Sequence, residues 1–99
     1  MLNKLTSQEF LPLIGQEFYV QLSGIEPIAL ELVSVTALGQ AQRSDLRAPF
    51  SLLFLGPPSQ QYLKQHIYCL QHEQLGALDL FIVPLGPQAG RMQYEVIFN

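Results

Sequence analysis

The chain has 99 residues, of which 48% are hydrophobic and only 13% charged, and its net charge is −3. That is one domain, residues 1–99, with enough apolar mass to bury a core without disulfide or metal staples and too much for a disordered chain. Five cations against eight carboxylates exclude a nucleic-acid-binding reading, because neutralising phosphates requires clustered Lys and Arg.

The start, Met1 to Leu5, lacks the apolar stretch of a signal peptide, and no run approaches the ~18 apolar residues of a membrane span. A cytoplasmic protein that avoids membranes is the expectation. Thr6-Ser7-Gln8-Glu9 is a capping box, followed by Phe10, Leu13 and Ile14 at helical spacing and by Gly15 as a stop. This predicts a short helix over about 6–14. Pro12 lies too deep for an ordinary first turn and forces part of the helix toward 3₁₀ geometry.

From there the rhythm changes. Glycines and prolines at short intervals separate apolar runs of strand length. Glu17 to Leu22 reads as a strand with Phe18, Val20 and Leu22 on one face. Ile28 to Val35 is the second, and its apolar phase slips near Val33 and Val35, which predicts a bulge or burial of both faces. Gly39 to Asp45 reads as a polar loop. Phe50 to Leu55 is apolar on both faces and reads as a central third strand. A helical turn over Ser59 to Leu63, a strand over His66 to His72, and a strand over Leu78 to Val83 follow. Gly86 to Arg91 reads as a hairpin loop, and Gln93 to Phe98 as the last strand, with Tyr94, Val96 and Phe98 as a buried face. Few of these connections are long enough to serve as parallel crossovers. The fold class is therefore all-β: a small antiparallel barrel or sandwich of about six strands with one short N-terminal helix.

The order Phe10, Gly15, Phe18, then Leu30-Glu31-Leu32-Val33, then Pro49 to Pro57, then Tyr68, His72 and Leu75-Gly76, then Leu80 to Pro84 and Tyr94 to Asn99 resembles an uncharacterised family of bacterial domains of about one hundred residues. The resemblance spans almost the whole chain. It implies a stand-alone all-β domain of unassigned function, with members near phage tail-collar-like proteins, and it carries no catalytic residues.

Chemistry-bearing groups are sparse. His66, Cys69 and His72 are the only soft metal ligands, but on a strand the two histidines lie ~20 Å apart and Cys69 points to the other face, so neither metal nor cofactor is expected. Cys69 reads as a small buried hydrophobe, and His72 as a strand-end histidine bonded to backbone. A Ser51, His72 and Asp79 triad has no nucleophile elbow. Arg43 and Arg47 flank Asp45 in a polar loop and could form a small docking patch. The apolar surplus is more informative. Leu53 and Leu55 oppose Phe54, and Phe81 and Val83 oppose Leu80 and Ile82, so not every apolar side chain can enter one core. Leu53, Leu55, Phe81, Val83, Arg43 and Arg47 are therefore the candidate partner surface. The expected function is that of a non-catalytic interaction domain, contacting another protein or itself. The alternative is a small-ligand barrel or enzyme with a pocket near Tyr68, His72 and Tyr94. A cavity of ~300 Å³ or more inside the barrel, lined by His72 and a tyrosine, would favour it.

Overall fold

The computed structural model describes residues 5–40, 47–59 and 62–99. It is a closed antiparallel barrel in the order β1-β2-β3-β6-β5-β4, in which β1 is Glu17–Gln21, β2 Ile28–Ala37, β3 Phe50–Pro58, β4 His66–His72, β5 Gly76–Gln88 and β6 Arg91–Phe98. One short helix, α1 (Ser7–Phe10), precedes β1 and runs into a 3₁₀ turn at Leu11–Leu13.

The capping box starts the helix: Glu9 Oε1 accepts from the Thr6 hydroxyl at 3.0 Å and from the Thr6 N–H at 3.4 Å. Pro12 then falls inside the 3₁₀ turn, where its missing N–H is tolerated. Gly15, at φ 93°, donates its N–H to the Leu32 carbonyl, and Leu32 returns a bond to Gln16. These bonds fasten the helical segment to β2. Phe10 is fully buried and packs its ring 5.4 Å from Phe98, 5.8 Å from Phe50 and 6.3 Å from Phe18. The helix thus plugs one end of the barrel. Toward the opposite end, Tyr94 is buried and its hydroxyl accepts the Leu63 N–H at 2.9 Å.

Period-two alternation fills the interior with Phe18, Val20, Leu30, Leu32, Phe50, Leu52, Phe54, Leu70, Leu78, Leu80, Ile82, Tyr94, Val96 and Phe98. The predicted slip in β2 is real. The β2–β3 register shifts between Leu32 and Ser34, which restores the inward phase.

Two expectations need correction. The fifth strand does not stop at Val83 but runs through Pro84 and Pro87 to Gln88. Beyond Ile82, β5 pairs only with β6 among the described residues, so its other edge needs no donors and accepts prolines. The loop expected over Gly86 to Arg91 shrinks to Ala89 and Gly90, both at positive φ (52° and 81°), as a type I′ hairpin turn requires. The helical turn expected over Ser59 to Leu63 falls partly outside the described residues, and Tyr62 and Leu63 are irregular.

Candidate functional site

The outward-facing residues of the barrel wall form rows across the strands. Ile67 on β4 stands opposite Phe81 on β5, and Phe81 shares a depression of about 270 Å³ with Ile97 on β6. These three side chains are 59%, 49% and 53% exposed. Val83 and Leu53 lie in the next row on either side of Glu95, and Leu55 lies beyond, opposite Glu31. Of the four apolar candidates, Phe81 is therefore open to solvent, whereas Leu53, Leu55 and Val83 are half-buried. Beside Leu55, Arg91 donates to the backbone carbonyls of Gly56 and Leu55 and pairs with Glu31 at 3.1 Å. Ile67 and Ile97 are surface positions absent from the sequence-derived candidates, and of the two Ile67 was the harder to place. Only the β4–β5 register, which sets it opposite Phe81, shows it pointing outward.

Arg47 is not a free docking cation. Its Nε–H donates to the Asn99 backbone oxygen at 2.9 Å, its Nη1 to the Leu5 carbonyl at 2.8 Å, and its guanidinium carbon sits 5.0 Å from the centre of the Phe98 ring. It straps the end of β6 to the segment before the helix. Arg43 lies outside the described residues. Cys69, expected in the core, is half-buried on the outer face opposite Asp79, because it is out of phase with Leu70.

Tyr68, His72 and Tyr94 are not brought together. All three point inward, but His72 is four positions beyond Tyr68 on β4, about 13 Å along the strand. His72 sits at the helix end, its ring 4.4 Å from Phe18. Tyr68 and Tyr94 lie toward the other end, where the Tyr68 hydroxyl donates to the Lys64 carbonyl at 2.8 Å. Burial raises the Tyr94 hydroxyl pKa above its ordinary value.

His72 is only 3% exposed and fully engaged. Nδ1 accepts the backbone N–H groups of Gln74 (3.0 Å) and Leu75 (3.3 Å), so Nε2 carries the proton and donates to Gln16 Oε1 at 2.9 Å. Burial lowers its pKa, partly opposed by the Glu73 carboxylate. This is the strand-end histidine expected from the sequence. Outside it lies a cleft of about 570 Å³ lined by Gly15, Gln16, Glu17, Tyr19, Glu31, His72 and Glu73. Glu17 stands directly opposite Glu31, a repulsive cross-strand pair. Each carboxylate has its own relief: Glu17 accepts the Tyr19 hydroxyl at 3.0 Å, which raises the Tyr19 pKa, and Glu31 holds Arg91. Among the described residues, no group of three or more His, Cys, Asp or Glu side chains is placed to hold a metal ion. Nor is any helix among them long and apolar enough to cross a membrane.

The profile of a family described as a domain of unknown function, DUF6916, matches residues 5–98, so the chain belongs to that family. No curated protein and no solved structure matches it.

Proposed function

We propose that this DUF6916 domain is a non-catalytic protein-interaction module that docks through the outer face of β4, β5 and β6. The observation that supports it is the row Ile67, Phe81 and Ile97, three large apolar side chains about half exposed on adjacent strands of an otherwise well-filled barrel. Apolar surface gathered on one side of a domain marks a contact site. The absence of catalysis is argued from His72, whose nitrogens are both committed to structural bonds, leaving none to shuttle protons. The setting we propose is bacterial and cytoplasmic, as an accessory of a phage-tail-like or tail-collar-like assembly. Its bacterial and phage-tail parts rest on the resemblance in sequence alone.

The test compares immobilised wild type with Phe81→Asp in lysate of the native host, after circular dichroism has shown both folded. Proteins retained by the wild type and lost from the variant are the expected result. Identical retained sets on both would overturn the reading.

A second reading has one observation behind it. The cleft at His72 is about 570 Å³, a size that suits a small ligand, and it also carries Tyr19. It lies outside the barrel wall, not within it. A compound that raises the melting temperature of the wild type but not of Tyr19→Ala would favour that reading.

A further inference from the structure

We infer that the Ile67–Phe81–Ile97 row takes a short basic and apolar segment of another protein, in preference to a second copy of this chain. The inference rests on the docking reading above and adds the chemistry of the partner. It starts from two carboxylates on the same face. Asp79 is two residues before Phe81 on β5, so it projects outward one step along the strand, opposite Cys69. Glu95 is two residues before Ile97 on β6, between Val83 and Leu53. Neither carboxylate has an ion-pair or hydrogen-bond partner among the described residues. Arg47 lines the same depression, but its guanidinium donates to the backbone oxygens of Asn99 and Leu5 and lies against the face of Phe98, and it pairs with neither carboxylate. An apolar row flanked by two such acids favours apolar side chains accompanied by Lys or Arg.

A second copy fits poorly. A two-fold contact through this face uses the same patch on both molecules, so Asp79 and Glu95 of each would approach those of the other. Each chain also carries a net charge of −3. Area points the same way. Three half-exposed side chains offer roughly 300 Å², against about 800 Å² per partner in a standard interface. A short segment suits that area better than another whole domain.

The test uses two nine-residue peptides: one alternating Lys with Ile and Phe, the other with Glu in place of each Lys. Each is titrated into the isotope-labelled domain while its amide signals are followed by NMR. The basic peptide is expected to shift signals at Ile67, Asp79 to Val83 and Glu95 to Ile97, and the acidic peptide to leave them in place. Asp79→Asn combined with Glu95→Gln is expected to weaken binding at least tenfold, as is raising the salt, because the attraction is between exposed charges. Equal binding of both peptides would overturn the inference. So would shifts centred on Glu17, Glu31 and Glu73, which would place the basic peptide in the other acidic cleft. Sedimentation supplies the remaining arm, in which a monomer is expected. A dimer that disappears in Phe81→Asp would overturn this partner chemistry while leaving the docking face intact. If neither peptide binds and Phe81→Asp also retains every lysate partner, both proposals fail together.

Discussion

Protonating His72 at Nδ1 would set a new N–H against the two backbone donors, Gln74 and Leu75, that this nitrogen now accepts. The buried ring therefore favours the neutral form, and its pKa lies below the ordinary 6.5 despite the nearby Glu73 carboxylate. The sign follows directly. The unfolded chain binds this proton more readily, so stability is full above about pH 6.5 and falls as pH drops below it, by at most ~1.4 kcal/mol per unit for one group. Thermal melts between pH 8 and pH 5 should show this loss in the wild type, and a flatter profile in His72→Gln. Equal slopes would show that the ring titrates freely. Gly56 illustrates a different constraint. It is buried on the inner face of β3, and a Cβ there would stand 3.1 Å from Cε2 of Tyr94. That ring is anchored by its bond from Leu63, so it cannot swing away without breaking it. Gly56→Ala is expected to cost about 1–3 kcal/mol through overpacking, read as a lowered urea midpoint.

Among the strands, β6 carries an unusual share of the core for a terminal element. Phe98 stacks on Phe50 at 4.6 Å with an interplanar angle of 7° and also meets Phe10, so one side chain joins β6, β3 and the helical plug. Phe98→Ala should cost about 3–5 kcal/mol; a loss under ~1 kcal/mol by chemical denaturation would contradict this packing. The alternation of Tyr94, Val96 and Phe98 was readable in the sequence because a half-buried strand writes its burial with period two. The capping box at Thr6 and Glu9 and the bulge near Val33 were readable for the same reason: each is a local rule acting within a few residues. The length of β5 was not. Pro84 and Pro87 signal a loop unless one knows that their outer edge has no strand to bond, and that is a property of the neighbours. On β4, alternation places Cys69 outward and His72 inward, so these two groups cannot converge on one ion. Melting with and without a strong chelator should give the same midpoint, and a drop of several degrees would reveal a structural metal.

At the scale of the whole barrel, closure decides what each side chain does. Strand order is non-local, and that is why the sequence could group Tyr68, His72 and Tyr94 while the fold sends His72 to the helix end and the tyrosines toward the other. Closure also gives every strand an inside and an outside, so consecutive residues can have opposite roles. Leu80 is 3% exposed and belongs to the core, whereas Phe81, its neighbour, is 49% exposed on the outer wall. A charge at position 80 would be buried without a partner, at a cost of several kcal/mol, which is comparable to the ~5–15 kcal/mol stability of an entire domain. Leu80→Asp should therefore lose its folded circular dichroism signal at room temperature. Phe81→Asp should keep that signal and stay within about 1 kcal/mol of wild type, the range of surface substitutions. Two adjacent substitutions with opposite outcomes would locate the barrel wall between them. If both variants unfold, Phe81 is part of the core and the outer row has no freedom to serve a partner. If both remain folded, Leu80 does not pack in the core, and the closed barrel itself would be wrong.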